Sequence, residues 1–228
     1  MFGGISMASE NKPYFMGLDF IVDTTVLAPR VETELLARTS ILILGEFPER
    51  KHLLIDMCCG SGNLACALAA ASPDATVLAA DLTDDAVRVA RANVERLGFA
   101  ARVTVLQGDL FSALAHQGAE GRCTMVVCNP PYISTGKLSG ESAHLLVNEP
   151  REAFDGGPYG ISIQQRLVKE APIYLREGGY LLFEFGLGQD RQVRSLLSRS
   201  GVFELVKFAE DDDGHPRVAV ARFVGQNP

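Results

Sequence analysis

Apolar and polar positions along this chain switch repeatedly between two periods: short continuous apolar runs, and longer segments with an apolar residue at every third or fourth place. Runs of the first kind, too short for buried helices, predict strands covered on both faces. They are HLLIDM (His52–Met57), ATVLAAD (Ala75–Asp81), RVTVLQGD (Arg102–Asp109), RCTMVVCN (Arg122–Asn129) and GYLLFEFG (Gly179–Gly186). Helices are predicted over NLACALAAA (Asn63–Ala71), DDAVRVARANVERLG (Asp84–Gly98) and ISIQQRLVKEAPIYL (Ile161–Leu175). Thr83 is placed to cap the second of these and Gly98 to stop it, while Pro172 predicts a kink or an early end in the third. The tail from Val202 to Phe223 reads as two strands, and its charge block EDDDGH (Glu210–His215) as the solvated turn between them. Ahead of the first run lie a short hairpin over YFMGLDFIV (Tyr14–Val22) and a helix opening near Pro29 in PRVETELLARTSILIL.

Strand and helix thus alternate in the βα rhythm of a mostly parallel sheet, closed by an antiparallel pair. The expected fold class is α/β: a Rossmann-like, seven-stranded, mostly parallel sheet of order 3-2-1-4-5-7-6 with a C-terminal antiparallel hairpin. That is the layout of a class I methyltransferase, although the rhythm alone also fits an ordinary dinucleotide-binding fold. Residues 1–45 are expected to pack as a hairpin and helix on a catalytic domain spanning 46–228, one domain overall, which suits a length of 228 residues.

Composition changes the picture only by exclusion. A formal charge of −7, with Lys and Arg scattered, weighs against a nucleic-acid binder, because phosphate contacts supply most of such a protein's affinity. The opening MFGGISMASENKPYF lacks the basic-then-apolar order of a secretory signal, and no apolar run approaches the roughly 20 residues of a membrane span. The five cysteines lie in or beside apolar runs without the paired spacing of a zinc site. A cytoplasmic protein with reduced thiols, no metal and no membrane contact is expected.

Chemistry enters at the ends of the strands. IDMCCGSGN follows the first run and opens a helix, where a doubly wound sheet binds its ligand. Gly60 and Gly62 allow a tight turn and close approach of the backbone, with Cys58 standing where a dinucleotide pattern has its first glycine. Asp56 at the strand end suits an ammonium group and repels a pyrophosphate, which favours S-adenosylmethionine over a nicotinamide dinucleotide. A plain strand-to-helix turn is the alternative. Asp81, with Leu82 beside it, ends the second strand at the place of a ribose-binding acid. Asp109, with Leu110, is similarly placed for the adenine amino group, or else caps the following short helix.

The fourth strand ends in CNPPYIS (Cys128–Ser134). Pro130 and Pro131 lack N–H groups and have a fixed φ, so the loop is stiff and turns sharply. The amide nitrogen of a carboxamide or base is a poor nucleophile because its lone pair is delocalised. The Asn129 side-chain oxygen and the Pro130 carbonyl can bind both of its hydrogens, turning the lone pair toward an activated methyl group, and Tyr132 can pack its face on the planar group. Asn129, Pro130 and Tyr132 are therefore the candidate catalytic residues, with Asn129 also beside the cofactor.

With these motifs in hand, the chain resembles the protein-glutamine methyltransferases, which modify glutamine in peptide release factors and in a ribosomal protein. Besides N-P-P-Y and D-M-C-C-G-S-G, the resemblance rests on a P-R-P-E-T-E type segment matched by Pro29, Arg30, Glu32, Thr33 and Glu34. It also rests on E-P-x-x-A-L-x-G-G-x-x-G, matched by Glu149, Pro150, Ala153, Gly156, Gly157 and Gly160, and on Glu184, Gly186 and Gln189 at the fifth strand. It runs from about Phe15 to the C-terminus. The resemblance implies that Phe20 and the Val26–Arg30 segment cover substrate or cofactor, and that Pro29, Arg30, Glu32, Thr33, Pro131, Tyr132 and Glu149 line the substrate side. Glu184 stands between a site role and a mere strand end. Val31 replaces the usual second proline, and Cys58 replaces a glycine as in the ribosomal-protein branch. Few residues precede the matched region, so the N-terminal helical docking domain of the release-factor enzymes is not expected here.

The expected function is S-adenosylmethionine-dependent methylation of a side-chain amide nitrogen, with protein glutamine as acceptor. A free amino acid or small metabolite is the alternative acceptor. Nucleic-acid adenine or cytosine methylation uses a similar clamp but calls for a basic surface or recognition domain. A silent cofactor-binding partner subunit has no need of an intact Asn129 and Tyr132. An adaptor protein and a homo-oligomer are both compatible with the sequence.

Overall fold

The computed structural model describes residues 13–147 and 149–225. The chain begins in a hairpin with two residues per strand, β1 (Tyr14–Phe15) and β2 (Leu18–Asp19). Met16 and Gly17 between them both have positive φ, 49° and 85°, the turn geometry that matches the twist of paired strands. A single 3-10 turn, Val31–Thr33, leads into helix α1 (Glu34–Leu44). Then come β3 (Leu53–Met57), α2 (Asn63–Ala71), β4 (Thr76–Asp81), α3 (Asp84–Arg96), β5 (Val103–Gln107) and β6 (Cys123–Cys128). A short helix α4 (Thr135–Leu138) precedes α5 (Ser162–Glu170), β7 (Leu175–Glu184), α6 (Asp190–Ser200), β8 (Phe203–Glu210) and β9 (Pro216–Phe223).

The sheet order is β5-β4-β3-β6-β7-β9-β8, which is 3-2-1-4-5-7-6 counted from the first strand of the sheet, as expected. The five strands from β5 to β7 run parallel, and β9 is antiparallel to both its neighbours. Alternation along each buried strand divides the apolar side chains between two layers. Leu54 joins the layer of α1, α2 and α3, together with Phe15 and Phe20, while Ile55 and Met57 join the layer of α5 and α6.

Thr83 caps α3, its Oγ1 accepting the Ala86 N–H at 3.2 Å, and Gly98 ends the helix with φ +78°. The helix predicted through Leu175 stops at Glu170, and Pro172 sits inside a separate 3-10 turn, Ala171–Ile173. In β7 the pairing reaches back to Leu175, further than the apolar run, through a register shift near Gly178, which has φ +73°. The charge block does form the β8–β9 turn, where the Asp211 carboxylate accepts the N–H groups of Asp213 (3.1 Å) and His215 (2.9 Å). No helix among the described residues is long and apolar enough to cross a membrane.

Register decides what meets at the carboxyl edge. Met57 pairs with Ala80 on one side and with Cys128 on the other. One residue further along, Cys58, Asp81 and Asn129 leave the sheet at the same level, from three adjacent strands.

Candidate active site

A cavity of about 400 Å3 opens at that edge, within the usual range for small-molecule sites, about 300–1,000 Å3. Its wall is built from the strap Thr25–Arg30, the glycine loop Cys58–Ser61, Asp81–Thr83, Gly108–Leu110, Asn129 with Pro131, and the segment Pro150–Ala153.

The glycine loop is shaped by backbone. Gly60 and Gly62 have φ +52° and +79°, and Cys58, a residue with a Cβ, is held at +57°. Such a conformation is costly outside glycine and is kept only where neighbours enforce it. Here the Cys59 N–H donates to the Ala80 carbonyl (3.0 Å), Gly60 N–H to Asp81 Oδ2 (2.9 Å) and Gly62 N–H to the Cys59 carbonyl (2.7 Å). Leu110, at φ +49°, is a second strained residue in the wall.

Two carboxyl groups set the local charge. Asp81 accepts from Gly60 and Thr83 amides, and burial still raises its pKa. Asp56, expected to meet an ammonium group, does not reach the wall. It is fully buried under the loop, with Oδ2 accepting the Ala65 N–H (2.9 Å) and Oδ1 without a partner. The period of two in β3 turns Asp56 toward α2, so it acts on the cavity only through its field. Burial pushes its carboxyl up to about 8, with Asp81 adding to the rise. No cation offsets either group among the described residues, so the floor of the cavity favours a positively charged ligand. The open glycine loop and the acidic Asp81, with the field of Asp56 behind them, fit S-adenosylmethionine, whose sulfonium and ammonium are both cationic.

At the other end, side chains do the shaping. Asn129 Nδ2 donates to Thr33 Oγ1 (2.9 Å), and that hydroxyl donates to Glu184 Oε2 (2.9 Å). Tyr132 Oη donates to Glu184 Oε1 (3.1 Å), and Arg217 Nη2 lies 4.0 Å from the same oxygen. Glu184 is 2% exposed; burial raises its pKa while the two hydroxyls and Arg217 lower it. Burial, and then the charge of Glu184, raise the Tyr132 phenol. Gln189 ties three loops together, its Nε2 donating to the carbonyls of Tyr132 (3.0 Å) and Gly160 (3.1 Å) and its Oε1 accepting the Gly186 N–H (2.7 Å). Gly156 leaves no room for a side chain, since a Cβ there would lie 2.8 Å from the Pro131 carbonyl oxygen.

Most of the residues expected on sequence grounds gather here, with seven exceptions, Asp56 among them. Pro29, Arg30, Thr33, Cys58, Gly60, Asp81, Leu82, Asp109, Leu110, Asn129 and Pro131 line the cavity. Phe20, expected as a cover, is instead a core residue, 1% exposed and edge-on to Phe15 at 6.4 Å between ring centres. Glu32 is outside the wall. The Tyr132 ring, expected to stack on a substrate, lies against Gly186, and its hydroxyl is occupied by Glu184. Pro130 is buried behind the wall, as is Gly62 at the start of α2. Glu149 is not a lining residue but staples the strap, accepting the Ala28 N–H (3.1 Å) and pairing with Arg30. Asp109 has no side-chain capping bond; its Oδ1 accepts from Arg166 at 2.7 Å.

One residue escaped sequence reasoning. Asn93, fully buried on α3, accepts the Ile21 N–H (2.7 Å) and donates to the carbonyls of Ile21 (2.8 Å) and Ser61 (3.0 Å), joining the segment that follows β2 to the glycine loop. Its signal was present: Ala86, Ala90 and Asn93 follow an i, i+4, i+7 spacing, so a lone amide falls on the apolar face of the helix.

The family model "Methyltransferase small domain" matches residues 33–157. A release factor glutamine methyltransferase from Geobacter sulfurreducens is 38% identical over 208 residues, covering 91% of this chain and 69% of that protein. A ribosomal protein uL3 glutamine methyltransferase from Bradyrhizobium diazoefficiens is 34% identical over 186 residues, covering 79% of this chain and 57% of that protein. Among solved structures, an RNA methyltransferase from Salinibacter ruber in complex with S-adenosyl-L-homocysteine is similar with a TM-score of 0.56 at 17% identity. That likeness covers 89% of this chain and 97% of the other, and it concerns the fold alone.

Proposed function

The chain belongs to the glutamine methyltransferase family, and on that premise we propose that it methylates the side-chain amide nitrogen of a protein glutamine, using S-adenosylmethionine held in the cavity. The observation that carries this reading is the register that brings the glycine loop, Asp81 and Asn129 around one cavity. When bound, S-adenosylmethionine would supply a methyl group on a positively charged sulfur; as the glutamine nitrogen takes the methyl, the sulfur would leave as a neutral thioether and one of the two amide protons would pass to solvent.

Each residue then has a specific task. Asp81 would accept from the ribose hydroxyls, with Leu82 beside it, and the glycine loop would hold the amino-acid tail. Asp109 keeps Oδ2 for the adenine amino group, with Leu110 packed nearby. Asp56 and Asp81 stabilise the two positive charges through their field.

On the acceptor side, Asn129 Oδ1 and the Pro130 carbonyl take the two hydrogens of the glutamine amide. Neither oxygen accepts a hydrogen bond among the described residues. Because Pro130 and Pro131 have no N–H, the loop offers an incoming –NH2 only acceptors, and the carbonyl end of a flipped amide finds no donor there. Holding both hydrogens orients the nitrogen lone pair, and positioning of this kind supplies most of the acceleration. The strap Thr25–Arg30, stapled by Glu149 and preceded by Ile21, which Asn93 holds, screens the reacting atoms from water.

The test is a methylation assay on peptides containing Gly-Gly-Gln, read by mass spectrometry as one added methyl on glutamine. Asn129→Ala is expected to lower turnover by roughly 100- to 1,000-fold, the usual cost of removing one oriented polar group at a reacting centre, and to leave cofactor affinity intact. Normal turnover by Asn129→Ala sinks the clamp. Label passing to metabolites but not to any glutamine peptide replaces protein glutamine with a small acceptor.

A further inference from the structure

We infer that Glu184, acting through the Thr33 hydroxyl, is a positioning residue that decides which end of the Asn129 amide faces the substrate. This rests on the amide clamp proposed above and extends it to two residues that need not touch the acceptor.

The number of hydrogens available decides the orientation. An asparagine amide has two ends of nearly the same size, one a donor and one an acceptor, and shape alone does not choose between them. A clamp for an –NH2 group works with one end only, the oxygen. Thr33 has a single hydroxyl hydrogen, and it is directed to Glu184 Oε2 at 2.9 Å. The Thr33 oxygen can therefore meet Asn129 only as an acceptor, which selects Nδ2, found at 2.9 Å. Oδ1 is left as the free end. The order of donors thus runs from Asn129 to Thr33 to Glu184, and its sense is set by the last member being a carboxylate, an acceptor with no hydrogen to give. Tyr132 donates to the other oxygen of the same carboxylate, so Glu184 is filled from both sides and cannot rotate away without breaking two bonds.

The same count gives a protonation dependence. A protonated Glu184 can donate to Thr33, which frees the hydroxyl hydrogen to turn to Asn129; the amide then reverses and offers Nδ2 to the substrate, where it repels the incoming N–H. The groups facing Glu184 are the Thr33 and Tyr132 hydroxyls, Arg217 at 4.0 Å, and Glu32, whose negative charge favours the protonated form. Thr33 and Glu184 are 151 positions apart and both almost fully buried, at 2% exposure each, so this relay is a tertiary feature.

Three variants test it: Thr33→Val, which keeps the shape and removes the hydroxyl; Thr33→Ser, which restores it; and Glu184→Gln, which keeps the shape and makes the acceptor ambiguous. Turnover on the Gly-Gly-Gln peptide, calorimetric affinity for S-adenosylmethionine, and the side-chain amide signal of Asn129 in the cofactor-free protein, assigned by its loss in Asn129→Ala, are read for each. Thr33→Val is expected to lose about 100-fold in kcat with peptide KM and cofactor affinity little changed, and to shift the Asn129 amide signal. Thr33→Ser is expected to recover most of that loss. Glu184→Gln is expected to lower kcat and to abolish the acid limb of the pH profile that the intact relay produces. Thr33→Val or Glu184→Gln turning over like the parent, or Thr33→Ser as poor as Thr33→Val, overturns the inference. If Thr33→Val fails to bind cofactor, Glu184→Gln decides alone by the same criteria. A dead Asn129→Ala beside a fully active Thr33→Val removes this inference and leaves the clamp standing; a fully active Asn129→Ala removes both.

Discussion

The two ends of the cavity are made in opposite ways. At the cofactor end the working groups are backbone amides and a turn forced into positive φ, with Cys58, Gly60 and Gly62 in succession and Asp81 receiving one of the amides. At the acceptor end the backbone is stiffened by two prolines, and the orientation of the polar groups is delegated to side chains from distant segments: Thr33, Glu184 and Gln189. On the proposed function, the difference follows from what each end must do. A cofactor used in every cycle can be held by a fixed local turn. An acceptor amide must be taken in one sense of two, and a sense can be imposed only by a chain of donors and acceptors whose direction is fixed elsewhere.

If the cofactor end is an acidic pocket closed by backbone, its largest expected signature is a pH dependence. The folded-state pKa of Asp56 is raised to about 8 from an ordinary value of 3.8, so the folded chain keeps a proton that the unfolded chain loses. Stability should therefore fall as pH rises from about 4 to about 8, by several kcal/mol at most, and cofactor-free Asp56→Asn should show a flatter profile in thermal melts. A cationic ligand favours the ionised carboxylate, so cofactor binding near pH 7 should release protons, visible by calorimetry in buffers of different ionisation enthalpy. A binding enthalpy independent of the buffer would remove the acidic pocket from the account.

The next effect in size is Asp81→Ala. Loss of two charge-assisted hydrogen bonds at about 1.5 kcal/mol each weakens cofactor binding by roughly 100-fold, and turnover at saturating cofactor should suffer far less. A variant with normal affinity and poor turnover would reverse the division of labour between the two ends. The smallest effect is expected from Gly156→Ala, where the new Cβ presses on the Pro131 carbonyl at 2.8 Å. Overpacking of this kind costs about 1–3 kcal/mol, and since the Cβ also meets the Gly160 Cα and C at 2.9 Å, no side-chain shift relieves it. Calorimetry should find cofactor affinity retained and peptide turnover reduced, because the strain falls on the acceptor loop.

Much of this was legible before any coordinates. The βα rhythm yields the sheet, and the strand ends yield Asp81, Asp109 and Asn129, because a buried apolar run that stops at a polar residue marks the edge where ligands bind. The departures from expectation share one cause. Asp56 is expected in the site from its place in the motif and Phe20 from the family resemblance, but which face of a strand or loop each occupies is a matter of packing: Asp56 turns toward α2 and Phe20 into the core. Tyr132 after two prolines suggests a stacking face, whereas the buried acceptor 52 positions later takes its hydroxyl. Asn93 passed unnoticed because a polar residue on a helix face reads as solvated until its neighbours are known.

The amino-acid sequence by itself determined the order of strands and helices, the two stiff or flexible loops, and the types of group each loop carries. These depend on periodicity and on the backbone freedom of glycine and proline, which are local properties. Only the tertiary structure decided that Thr33, Asn129, Tyr132 and Glu184 form one directed relay, and that the carboxylate ending β3 lies behind the cavity while the one ending β4 lies in it. Hydrogen-bond direction and burial are relations between residues far apart in the chain, and they come into existence only when the sheet and its helices have closed around them.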